Sequence, residues 1–170
     1  MPAPIRAYVR GVDRLNRAVG TVTMYGLFVL IGILLFSAFD RVATRTFPLW
    51  VVEMAEFLMA GYYFLGGAYA LQLDGHVRMD LLYSRMTARR RALVDLLTVG
   101  TLLFYLIVLL LGGIESTRYA LETDQRNFSA WGPPLAPIKA VMTIGIVLML
   151  LQVTAVLFKD LARVSGRTLE

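Results

Sequence analysis

Residues Ala18–Phe39 read AVGTVTMYGLFVLIGILLFSAF, 22 positions without a charged side chain. A helix needs about 20 such residues to cross the roughly 30 Å hydrocarbon core of a bilayer. Three further apolar blocks follow: Leu49–Leu73 (25 residues), Ala92–Ile114 (23) and Ala136–Phe158 (23). The four blocks hold 93 of the 170 residues, and charged side chains fall to 17%, below the usual quarter of a soluble domain. The reading is an all-α integral membrane protein: one domain, residues 1–170, of four transmembrane helices. A soluble enzyme is excluded, and no enzymatic activity is expected. The first block exceeds the roughly 7–15 apolar residues of a cleavable signal peptide. Ser37 and Ala38 are small enough for a cleavage site, but the length and the arginine-bearing lead favour a retained signal anchor.

The chain has no cysteine, which removes disulfides, thiolate metal sites and thiol catalysis. Its one histidine, His76, lies outside the apolar blocks, so haem ligation from within the spans has no ligand. No Gly-x-x-x-x-Gly-Lys-Ser/Thr loop is present. No cofactor, metal or nucleic-acid partner is expected. The net charge of +5 matters by its position along the chain rather than by its sum.

Four arginines precede the first span (Arg6, Arg10, Arg14, Arg17), five sit in 74–91 (Arg78, Arg85, Arg89, Arg90, Arg91) and three cations follow the fourth (Lys159, Arg163, Arg167). The opposite side receives Arg41, Arg45, Arg118, Arg126 and Lys139, a split of 12 against 5. The positive-inside bias places both termini in the cytoplasm and both tryptophans, Trp50 and Trp131, at the outer interface. A multi-pass membrane protein fits this pattern.

Two cytoplasmic segments carry helical amphipathicity. Ile5, Tyr8, Val9 and Val12 share one face opposite the first four arginines. Met79, Leu82, Tyr83 and Met86 repeat the spacing beside Arg78, Arg85 and Arg89. Each reads as an interfacial helix with its guanidinium groups toward anionic lipid; a solvated basic loop, or a face for a partner protein, are the alternatives. Thr87 is placed to cap the third helix, and Arg91 with Asp95 to pair at i, i+4.

Charges within spans are Glu53 and Glu56 in the second, Asp95 in the third and Lys139 in the fourth. They are costly in hydrocarbon. Glu53 and Glu56 lie at a similar outer depth to Lys139, so a carboxylate–ammonium pair is expected, either as a bolt between helices or as a contact to another subunit. The functional alternative makes Glu56 a proton or ion carrier, but from Phe57 to Leu71 the second span holds only apolar, aromatic and small residues. In the outer segment Arg118 and Glu122 stand at i, i+4, so the third helix is expected to project past the lipid before Trp131-Gly132-Pro133-Pro134 turns the chain. Pro137 suits the first turn of the fourth helix. Gly20, Gly26 and Gly32 in span one, with Gly61, Gly66 and Gly67 in span two, permit close helix approach and suggest a partner helix.

From Leu65 onward the chain resembles the small membrane subunit, the Q subunit, of TRAP (tripartite ATP-independent periplasmic) transporters. The resemblance rests on Gly67-Ala68-Tyr69-Ala70-Leu71-Gln72 leading into Gly75-His76-Val77-Arg78-Met79-Asp80-Leu81-Leu82. Arg89-Arg90-Arg91-Ala92, Gly145, Leu150-Leu151-Gln152 and an early glutamate in span two agree with it. Met79 stands where the family more often has Val or Ile.

The resemblance implies a part of a machine. A soluble periplasmic protein captures an organic acid, a large membrane subunit moves it with sodium ions, and the small subunit braces the large one and helps dock the loaded binding protein. Arg41, Arg45, Arg118, Glu122, Asp124 and Arg126 are then docking candidates, with a solvated loop surface as the plain alternative. His76 and Asp80, at i, i+4, would fix the turn after span two. The competing reading from another class is a self-sufficient, homo-oligomeric, proton-coupled exporter using Glu56; a membrane anchor for a redox enzyme is disfavoured by the missing haem ligands.

Overall fold

The computed structural model describes residues 3–45, 48–73 and 88–164. Four helices follow one another: α1 (Ala3–Thr44), α2 (Trp50–Gln72), α3 (Ala88–Glu122) and α4 (Ala136–Val164). α1, α3 and α4 each contain an apolar block, and α2 falls one residue short of its block at each end. Three are long and apolar enough to cross a membrane, through Pro4–Thr44, Leu97–Glu122 and Ala136–Lys159. α2 has the length, 23 residues, but Glu53, Glu56, three tyrosines and three glycines dilute its hydropathy. It is sheltered instead, with α1 on one side and α4 on the other.

The N-terminal segment departs from expectation. α1 runs 42 residues without interruption, about 63 Å at 1.5 Å per residue, so no separate interfacial helix precedes the first span. Nothing between Arg17 and Ala18 breaks the helix, and Pro4 sits in its first turn, where no amide is required. The stripe expected to face lipid is turned inward: Val9 and Val12 are buried against Ala155 of α4, with Ile5, Tyr8, Leu151 and Phe158 around them. The second amphipathic segment, with Met79, Leu82, Tyr83 and Met86, lies outside the described residues, as do His76, Asp80 and Thr87.

Packing is decided by glycines where helices cross. α1 and α2 are antiparallel: Gly20 lies against Tyr69 and Gly66 against Thr23. α2 and α4 run parallel, since Gly61 meets Val141 and Gly67 meets Met149. A Cβ on Gly145 would fall 2.6 Å from the Phe64 carbonyl oxygen, so only a glycine lets α4 approach the α2 backbone this closely. α3 lies on the far side of α4, where Leu106, Ile146 and Val153 form a core that Phe64 and Leu71 of α2 complete.

What the helices leave outside is apolar. Phe28, Leu35 and Phe39 of α1 and Leu97, Phe104 and Leu111 of α3 are each more than 60% exposed. Contiguous apolar surface of this kind marks membrane or protein contact; with three spanning-length helices it makes this a membrane protein.

Candidate functional site

Polar side chains gather at two places. The first joins α1 to α4 near the end of the bundle that holds the N-terminus. Asn16 and Gln152 are both almost fully buried, and the Asn16 amide donates to Gln152 Oε1 at 2.6 Å. Gln152 in turn donates through Nε2 to Asp13 Oδ1 at 3.1 Å. Lys159 Nζ donates to both Asp13 oxygens, at 2.9 and 2.7 Å. One turn earlier on α1, the Tyr8 hydroxyl lies 2.7 Å from Thr154 Oγ1, and the Tyr8 ring meets Phe158 edge-on. Asp13 and Asn16, three apart, share a face of α1, and Gln152 and Lys159, seven apart, share a face of α4. The result is a polar chain, Lys159–Asp13–Gln152–Asn16, set into an apolar seam.

The second place is the opposite end. α3 closes in a Schellman motif: Gln125 N–H donates to Ala120 O and Asp124 takes a left-handed φ of 45°. The chain then folds into a short hairpin, with Arg126 bridging Pro134, Asn127 N–H on Pro133 O and Leu135 N–H on Gln125 O. Gly132, φ 58°, makes the turn. Lys139 locks this hairpin to α4, its ammonium donating to Gln125 Oε1 at 2.7 Å and to Ser116 O at 3.5 Å. Below it, the Thr117 and Thr143 hydroxyls lie 3.0 Å apart.

The expected pairing of Lys139 with Glu53 or Glu56 is therefore corrected. Lys139 faces α3 and its loop, while both acids are on α2, and among the described residues no ion pair joins them. Glu53 is buried, with Oε2 lacking a partner. It occupies the first turn of α2, where unsatisfied amides favour a carboxylate. Glu56 is exposed and, like Arg41, lines a groove between α1 and α2.

The docking candidates are at helix ends and in the hairpin. Arg118 pairs with Glu122 at 2.7 Å, both well exposed. Arg126 reaches Asp124 at 3.3 Å. Arg45 follows the last residue of α1 with a φ of 57°. Asp95 and Arg91 have side chains outside the described residues.

Sequence reasoning missed the inner chain. Lys159 counted only as a cytoplasmic cation and Asp13 was not singled out. The available signal was Gln152, an amide in a block that is otherwise almost wholly apolar, whose burial demands a hydrogen-bonding partner. Among the described residues no three acidic or histidine groups converge to hold a metal, and both polar clusters join helices of one chain.

The family model for the DctQ component of tripartite ATP-independent periplasmic transporters matches residues 14–163. No curated protein matches the chain.

Proposed function

The chain belongs to the DctQ component of the tripartite ATP-independent periplasmic transporters, a family of transporter subunits, and on that premise we propose that it is the small permease subunit that braces the large membrane subunit. In this reading all four helices cross the inner membrane, α2 included, with both termini cytoplasmic. The large subunit carries the sodium-coupled uptake of an organic acid, and the outer hairpin helps dock the periplasmic binding protein. Anionic lipid at the cytoplasmic face meets the arginines that precede the first span.

One observation carries the bracing role. Half-buried Asp13 and buried Asn16 and Gln152 are hydrogen-bonded to one another between α1 and α4, which pins the two helices together rather than lining a path. Fixed helices with exposed apolar faces suit a scaffold against which another subunit moves.

The test is uptake in proteoliposomes containing the large subunit and binding protein, with and without this chain. Loss of uptake without it, and no transport by the chain alone, is the expected result. Full activity of the large subunit alone would overturn the reading. Transport by the purified chain, abolished in Glu56→Gln, would establish the exporter instead.

A further inference from the structure

The polar chain between α1 and α4 has a forced direction. Asp13, ion-paired to Lys159, offers only acceptors, so Gln152 must donate to it through Nε2. Gln152 Oε1 then accepts from the Asn16 amide nitrogen, which leaves Asn16 Oδ1 as the free end of the chain. Reversing either amide would set two oxygens against each other. Asn16 is 1% exposed, and its Oδ1 is buried with no donor among the described residues. A buried acceptor of this kind calls for a hydrogen-bond donor.

A second such oxygen belongs to α2. Gln72, the last residue of that helix, is half-buried, and its Oε1 is likewise buried without a donor. The antiparallel contacts of Gly20 with Tyr69 and of Thr23 with Gly66 set Gln72 level with Arg17, next to Asn16. At about 100° per residue, Gln72 lies about 60° from Tyr69, which meets α1, and about 80° from Phe64, which meets α4. It therefore projects between those two helices, toward the seam that Asn16 and Gln152 close. Ala68, one turn earlier and fully buried, adds only a methyl group there.

Two acceptors without a donor, at a junction of three helices, need a molecule that supplies two protons. A cation fits poorly. Both oxygens are neutral amides, and Asp13 beside them is already neutralised by Lys159, so an ion would be an uncompensated buried charge. Water is small, neutral and has two O–H donors.

We propose that one ordered water is held between α1, α2 and α4, donating one hydrogen bond to Asn16 Oδ1 and the other to Gln72 Oε1. It extends the chain Lys159–Asp13–Gln152–Asn16 to a third helix and fastens the C-terminal end of α2 to the α1–α4 seam. The site does not depend on the transport role.

The test is magnetic resonance on the full chain, isotopically labelled, in deuterated detergent. Cross-relaxation between water and the Asn16 side-chain amide should have opposite signs in the laboratory and rotating frames, the mark of a long-lived bound water rather than of proton exchange. Gln72→Leu removes one acceptor and should lose this signal while Asn16 stays bonded to Gln152. Gln72→Leu and Asn16→Leu should each lower the melting temperature by several degrees. The double variant should fall no further than Asn16→Leu alone, because either change releases the water. Circular dichroism confirms that each variant is helical. Absence of the signal in the unmodified chain overturns the proposal whatever the variants do. So does its persistence in Gln72→Leu, or additive losses in the double variant. A melting temperature raised by sodium or potassium over choline at equal ionic strength would place a cation there and overturn it as well.

Discussion

Asn16 and Gln152, 136 residues apart in the chain, form a buried side-chain hydrogen bond of 2.6 Å between α1 and α4. An amide pair in an apolar seam acts as a register pin. Sliding α1 along α4 by one residue would leave two buried amides without partners, each costing about 1–3 kcal/mol. The pin also explains why an arginine-rich segment continues as helix: beyond Asn16, the N-terminal turns of α1 are held by Asp13, Val12, Val9 and Tyr8.

The first prediction follows from that asymmetry. Gln152→Leu leaves Asn16 buried without its acceptor and should destabilise the protein by about 1–3 kcal/mol. Asn16→Leu should do much the same. The double variant should be less destabilised than the sum, because both orphaned groups are gone. Thermal unfolding in detergent of the four proteins in the cycle measures the coupling; strict additivity would mean the bond contributes nothing.

Lys159 and Asp13 extend the pin with an ion pair whose side chains are 29% and 23% exposed. Lys159→Met should be mild, about 1 kcal/mol, since Asp13 keeps its bond from Gln152 and some water. Asp13→Leu should be worse, because it strands both the Gln152 amide and the ammonium. Exchanging the two charges should restore only part of the loss, as a lysine at 13 cannot accept from Gln152. The order of melting temperatures checks this; equal effects of the two single changes would refute the shared role of Asp13.

Much of this fold was legible in the sequence, and the limits are physical. Hydropathy placed four helices because crossing a bilayer imposes a length, and the observed helices overlap the four blocks, α2 falling one residue short at each end. It mistook the destination of the Ile5–Tyr8–Val9–Val12 face, because an apolar stripe looks the same whether lipid or α4 covers it. It likewise matched Lys139 with the wrong partner. Depth alone suggested Glu53 or Glu56, but rotation about the helix axis decides contact, and Lys139 faces Gln125. The glycines of α2 suggested a partner helix, yet Gly61, Gly66 and Gly67 are spent within the chain.

Those glycines give a sharper prediction. Gly145→Ala places a methyl against the Phe64 backbone, which cannot move aside as a flexible side chain could. It should destabilise the bundle by about 2 kcal/mol or more, in the range of overpacked cores. Gly26 and Gly112 have nothing within 4 Å of a built Cβ. Alanine there should be neutral or stabilise by up to about 1 kcal/mol through helix propensity. If Gly26→Ala instead abolishes capture of the large subunit while the chain stays folded, that open face of α1 is where the partner sits.

Lys139 should couple to the hairpin and not to the acids of α2. Lys139→Met removes the bond to Gln125 Oε1, so the amides of residues 123–135 should exchange faster with solvent. Combined with Gln125→Leu the effects should be strongly non-additive; combined with Glu56→Gln they should add within about 0.5 kcal/mol. Hydrogen exchange and melting temperature together make the measurement. A large coupling to Glu56 would reinstate the ion pair that the geometry argues against.

The Arg118–Glu122 pair separates docking from stability. Both side chains are more than half exposed, so the pair contributes at most about 0.5 kcal/mol to the helix. Arg118→Glu should leave the melting temperature nearly unchanged. If the outer hairpin receives the binding protein, reversing this charge should raise the concentration of loaded binding protein needed for half-maximal uptake several-fold, with little change in the maximal rate, and the effect should shrink as salt rises. Uptake titrated against binding protein at two ionic strengths reads both. An unchanged titration at low salt would remove Arg118 from the docking surface.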